Sequence, residues 1–115
     1  MSSKDKGNLL AIIDCCDKIQ KFFTGLKNAD EFNSNEMIFD AVLMNLITIG
    51  EAVSRINDEL KVENDNVEWQ KIKSLRNLIA HNYFGVDAEE IWEIINGDIA
   101  ELKEDATKIV SRLEN

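Results

Sequence analysis

The 115 residues are 44% hydrophobic and 30% charged, which fits one globular domain, and no apolar run approaches the ~18 residues of a transmembrane helix. A net charge of −9 and a pI near 4.5 exclude broad electrostatic capture of nucleic acid, so any contact with RNA or DNA must be local. No proline occurs and only five glycines do, which favours long helices over a sheet with many turns. The start, Met1-Ser2-Ser3-Lys4-Asp5-Lys6, has no apolar signal core, so the expected location is cytoplasmic, with no membrane partner.

The first helix is predicted over residues 4–24. Leu9, Ile12, Cys16, Ile19, Phe23 and Leu26 follow one another at alternating steps of three and four, the apolar stripe of an amphipathic helix. Cys15 and Cys16 are adjacent, point ~100° apart on a helix and cannot bridge within it. With one histidine far away in sequence they make a poor zinc site, and both read as packing residues. Gly25 marks the fraying end. Residues 27–34 form a connection with room for one helical turn at 30–32.

A second helix is predicted from Asn33 or Ser34, where Asn33 and Glu36 have capping-box spacing. Its stripe is Phe39, Val42, Leu46, Ile49, Val53, Ile56 and Leu60. Ile38, Ala41, Leu43, Ile47 and Ala52 widen the apolar face, and a helix apolar around most of its circumference points to burial by a second chain. Gly50 stands mid-helix, where it costs up to ~1 kcal/mol relative to Ala; it suits the close approach of another backbone, and Glu51 follows it. Residues 61–65 read as a polar loop. The third helix opens near Asp65 or Asn66, with Glu68 completing a capping box from Asp65. Trp69, Ile72, Leu75, Leu78 and Ile79 form its apolar side, and Phe84-Gly85 ends it, with Gly85 in the left-handed C′ position. Asp87 and Glu90 open a fourth helix that carries Ile91, Ile95, Ile99, Leu102, Ala106, Ile109 and Leu113. The expected fold is all-α: a single domain over residues 1–115, an antiparallel up-and-down four-helix bundle that dimerises.

The stretch Arg76-Asn77-Leu78-Ile79-Ala80-His81-Asn82-Tyr83 holds the chain's only histidine and only tyrosine. Cleaving RNA without a metal needs a base for the 2′-hydroxyl, an acid for the leaving oxygen and a cation for the phosphate. Histidine titrates near neutrality and suits proton transfer. The arginine fork binds two phosphate oxygens at once. Asn77 is placed to hydrogen-bond the phosphate or orient the histidine, with which it shares a helix face. Arg76 and His81 point ~140° apart on a straight helix. They join one site only if the helix deforms near its end or a second chain completes the site. A two-fold dimer presents two histidines and two arginines to one phosphate. Taken singly, each residue also has an ordinary role: His81 as a helix-end cap, Arg76 as a surface ion pair, Tyr83 as a bundle-edge residue, Glu51 as a solvated helix residue.

The run Arg76-Asn77-x-x-x-His81-x-Tyr83 resembles the Arg-x4-His-x-Tyr motif of HEPN-superfamily toxins of the HepT type. Ile49-Gly50-Glu51-Ala52, Glu68-Trp69-x-x-Ile72, Val86-Asp87 and Ile91-Trp92 are also similar to that family, so the likeness spans about residues 39–95. No proline precedes Glu68-Trp69, and Met44 stands where members often carry a basic residue. The resemblance implies a dimeric, metal-independent endoribonuclease without a cofactor, the toxin of a toxin–antitoxin pair, with RNA as substrate. It implies Arg76 and His81 as catalytic, and Asn77 and Glu51 as supporting residues. It implies an MntA-type nucleotidyltransferase antitoxin that transfers AMP to Tyr83, and assembly as a homodimer or a higher even-numbered oligomer. Two other readings stay open: a non-catalytic, nucleotide-binding subunit of a nucleotidyltransferase complex, and a purely structural dimerisation module.

Overall fold

The computed structural model describes residues 2–113, apart from the Phe84 side chain. The described residues are helical, with no strand among them. The helices are α1 (Ser3–Phe23), α2 (Ala29–Ser34), α3 (Glu36–Arg55), α4 (Asp58–Glu63), α5 (Trp69–His81), α6 (Ala88–Asn96) and α7 (Asp98–Leu113), with a 3-10 turn at Tyr83–Gly85 between α5 and α6.

The predicted stripe of α1 forms the centre of the core: Leu9, Ile12, Cys16 and Ile19 are fully buried, packed between α3 and α7. Both cysteines are free and buried, in the packing role expected of them. Burial, with Cys15 and Asp17 adding to it, pushes the Cys16 thiol up to about 12. The N-terminus of α1 is fixed twice. Ser2 accepts the Asp5 N–H, and the buried Asp5 carboxylate accepts the Asn57 N–H at 3.0 Å, joining α1 to the end of α3. On α3, Val42, Leu46, Ile49 and Val53 are buried as predicted, and Leu43 and Ala52 of the second set are buried within the same chain. The second set is therefore partly accounted for without a partner. By length and composition α3 is apolar enough to cross a bilayer, at a mean hydropathy of 1.5, and here it is the helix around which α1, α2 and α5 pack.

Several predicted boundaries are corrected. Asn35, not Asn33, caps α3, accepting the Ile38 N–H at 3.1 Å. The chain leaves the helix at Ile56, whose ψ of 139° is extended, so Leu60 belongs to a separate helix, α4, and residues 61–63 of the predicted loop are helix. Asn57 caps α4 through the Glu59 N–H. Leu60 continues the three-four spacing across the break because it is the one side chain of α4 buried against the core. The connection at residues 27–34 contains α2, a longer helix than the single turn predicted, and Phe32 from it packs against Phe39 and Trp92. The fourth predicted helix breaks at Gly97 into α6 and α7.

The predicted capping box at the start of α5 does not form. Glu68 is the residue before the helix and makes no side-chain cap. Trp69 sets the start instead: its indole N–H donates to the Asn64 carbonyl at 3.0 Å, and Trp69 is buried. Asn64 is itself buried, donates to the Leu60 carbonyl and accepts from Arg112 at 2.6 Å. One asparagine thus ties α4, α5 and α7 together through its backbone carbonyl and its side-chain amide, with the buried polar atoms of that side chain satisfied.

Candidate active site

The site rests on one close approach. A Cβ built on Gly50 would lie 2.2 Å from Arg76 Cβ and 2.8 Å from Arg76 Cγ. Only glycine leaves room there, so the approach anticipated at Gly50 is made by α5 of the same chain. The contact lays the Arg76 stem across α3 and aims its guanidinium along the neighbouring residues. Arg76 Nη2 lies 3.9 Å from Glu51 Oε1, at the outer limit of an ion pair, and Nη1 donates to Asn77 Oδ1 at 3.0 Å. Arg76 Nε is buried and finds no acceptor among the described residues. Glu51 is shared, pairing also with Arg55 at 3.7 Å. The arginine is steered rather than neutralised: its side chain remains 39% exposed.

The α5 helix is unbroken from Trp69 to His81. The deformation that would have swung Arg76 and His81 together within one chain is absent, and the two residues leave the helix ~140° apart. His81 is exposed, and its side chain makes no hydrogen bond or ion pair with another described residue. The capping role open to it falls to Asn82, whose side chain donates to the Leu78 carbonyl at 3.4 Å. Asn77, one turn before His81 and bonded to Arg76, stands between the two.

Beyond His81 the backbone passes through Asn82 into the 3-10 turn. Gly85 does not take the left-handed conformation predicted for it; Gly25, at φ 95°, is the one residue with positive φ among those described. The 3-10 turn carries Tyr83 back over α3, where its hydroxyl donates to Asp40 Oδ1 at 3.0 Å. That hydrogen bond, with desolvation and the carboxylate charge behind it, holds the phenol above its ordinary value.

Arg76, Asn77 and Glu51 are therefore in contact, His81 stands apart from them, and Tyr83 is held by Asp40. Asp40 is missing from the sequence-based set. It lies 43 residues from Tyr83, and its one sequence signal is an acid interrupting the apolar run of α3. Outward from α3, Met37 is 85% exposed and Met44 60% exposed. Chemically, the arrangement offers a half-exposed guanidinium for an anion and an unengaged imidazole for a proton. Among the described residues no group of three or more His, Cys, Asp or Glu side chains is arranged to hold a metal.

Comparison with known proteins gives a consistent picture. Residues 12–109 match the family model described as "Ribonuclease HepT-like". The chain is similar to "Putative RNase MJ1380" of Methanocaldococcus jannaschii, 34% identical over 106 residues that cover 91% of this chain and 96% of that protein. It is similar to "Probable ribonuclease HepT" of Thermococcus cleftensis, 29% identical over 103 residues that cover 90% and 93% of the two chains. A third relative from M. jannaschii, "Gamma-glutamylcyclotransferase and putative RNase MJ0434", is 30% identical over 103 residues, and the chain spans about half its length (46%). No solved structure matches significantly.

Proposed function

The chain belongs to the ribonuclease HepT-like family, and on that premise we propose that it is a metal-independent endoribonuclease. In this reading it is the toxin of a toxin–antitoxin pair, acting in the cytoplasm as a homodimer with an active site shared between protomers. One observation carries the reading: a guanidinium pinned across Gly50, and an exposed imidazole on the same unbroken helix, both left with capacity for an anionic substrate. Family membership and the names of the relatives support the substrate class.

The chemistry follows from the residues. Arg76 holds the scissile phosphate, and Asn77 fixes the guanidinium plane. His81 takes the proton from the 2′-hydroxyl as that oxygen attacks the adjacent phosphorus. The bond to the 5′-oxygen breaks, and the partner's His81 returns a proton to that leaving group. The products are a 2′,3′-cyclic phosphate and a 5′-hydroxyl. A two-fold arrangement supplies the second imidazole and answers the ~140° divergence within one chain, and the exposed Met37 and Met44 are apolar surface that a second copy would cover.

The same reading gives Tyr83 a regulatory part: its hydroxyl oxygen attacks the α-phosphorus of ATP held by a nucleotidyltransferase antitoxin of the MntA type, accepting AMP as pyrophosphate leaves. Esterifying the hydroxyl removes the donor that binds Asp40 and sets a phosphate beside that carboxylate. Attraction becomes repulsion, so the modified ring must leave Asp40. Its phosphate then competes for Arg76.

The test is RNA cleavage by the unmodified protein in EDTA, with His81→Ala and Arg76→Ala alongside. Either substitution is expected to lower the rate by at least ~10²-fold, and wild-type activity in either variant rejects this site. A second reading draws on the net charge of −9: a non-catalytic subunit that holds nucleotide for a nucleotidyltransferase. It predicts a stable complex with that enzyme and no cleavage of any RNA class.

A further inference from the structure

Three of the four cations around the motif are engaged with carboxylates. Lys71 bridges Glu68 at 3.4 Å and Asp98 at 3.3 Å. Arg55 and Arg76 share Glu51. Lys73 is the exception: it is exposed, and its ammonium makes no hydrogen bond or ion pair with any other described residue. Of these four cations it is the one left open to an external anion. The helix that carries it contributes to this: α5 holds Lys71, Lys73 and Arg76 and contains no acid, whereas α1, α3, α6 and α7 each contain several.

The position of Lys73 is as specific as its freedom. Lys73, Asn77 and His81 follow at intervals of four and lie within ~80° of one another around the helix. All three are exposed, so they form one line along the outward crest of α5. From Lys73 to His81 the line measures ~12 Å. That is too long for both to hold one phosphate, and suited to one phosphate at His81 and a neighbouring one at Lys73.

We infer that Lys73 binds a backbone phosphate flanking the scissile one and thereby sets the path of the RNA strand along α5. It is a substrate-positioning residue, and the inference rests on the ribonuclease reading above. Lysine suits the role as a compact point charge that meets a phosphate without dictating base identity.

The experiment uses two substrates and one non-cleavable ligand. A dinucleoside monophosphate carries only the scissile phosphate, whereas a twelve-nucleotide RNA (about one turn of duplex in length) carries flanking ones. Lys73→Ala is expected to raise KM for the longer RNA ~5- to 20-fold with kcat unchanged, and to leave the dinucleoside reaction as in wild type. The slope of log kcat/KM against log salt for the longer RNA should become shallower by ~0.7, the value of one single-strand phosphate contact. Lys73→Arg should restore most of the loss. Equal KM in wild type and Lys73→Ala overturns the assignment, as does a fall in kcat on both substrates, which would put Lys73 at the scissile phosphate. Binding of a 2′-O-methyl RNA of the same length separates this from failure of the ribonuclease reading. If wild type cleaves nothing but binds that RNA more weakly on Lys73→Ala, the phosphate contact stands and catalysis does not. If it binds equally or not at all in both forms, the contact falls too.

Discussion

The helices α1 and α5 both pack on α3, yet they are held very differently. In α1, six of 21 residues are buried, its first turn is capped by Ser2, and Asp5 ties it to the end of α3. In α5, two of 13 residues are buried, Trp69 and Ile79, and no side chain caps its start. Its other flank faces a groove of about 420 Å³ toward α7, lined by Leu46, Ile72, Leu75, Leu78, Ile94 and Leu102. A helix that must present polar groups outward has less face to bury. Here the candidate active-site helix is anchored at a tryptophan, one isoleucine and the Gly50–Arg76 contact, while α1 carries the core. Lightly anchored elements are also those that open locally at low free energy.

The comparison breaks most visibly on core truncation. Ile12→Ala in α1 should cost ~3–5 kcal/mol, because a fully enclosed site collapses little around the cavity. Ile79→Ala in α5 should cost nearer ~2 kcal/mol, since a helix held by only two buried residues can settle into the space. Urea unfolding of the two variants decides this, and a larger loss from Ile79→Ala would mean that α5 is the better-anchored helix. Folded Ile12→Ala protein should cleave RNA normally.

A smaller effect on stability, with a larger one on activity, is expected at Gly50. Its intrinsic helix penalty relative to alanine is ~1 kcal/mol. An exposed glycine in mid-helix would thus be improved by alanine. At Gly50 the added methyl meets the Arg76 Cβ, an atom fixed to the α5 backbone, so α5 must move outward. Gly50→Ala should lose ~1–3 kcal/mol net, and the displaced guanidinium should lower cleavage more than the stability loss explains. A stabilised Gly50→Ala protein with normal activity would show that the close approach is dispensable.

These differences mark how far the sequence could be read. The buried stripe of α1 was legible because one helix face meets one core. Gly50 was legible as a point of close approach, though its partner, Arg76 on α5, was not. The breaks at Asn57 and Gly97 were hidden because Leu60 and Ile99 keep the apolar spacing in phase across them. Asn64 and Asp40 were hidden for another reason. Each acts through a residue far away in sequence, Arg112 or Tyr83, and nothing local distinguishes a buried or tethering polar side chain from a solvated one.

The smallest effect tests how closed the α1 side is. The folded protein holds the Cys16 thiol up to about 12, chiefly through burial, against an ordinary value of 9.0. Below pH 9 the thiol is protonated in both states and the shift leaves stability unchanged. As pH rises past 9 the unfolded thiol releases its proton while the folded one keeps it, so stability falls progressively until pH passes about 12. Between pH 9 and 10 this amounts to about 1 kcal/mol, given 1.36 kcal/mol per proton and pH unit. The neighbouring Cys15 thiol is raised in the same direction and adds to the fall. Cys16→Ala removes the larger share, so its unfolding free energy should decline less steeply over that interval than that of wild type. Parallel slopes would mean that water reaches Cys16 in the folded state, and α1 would then be no better closed than α5.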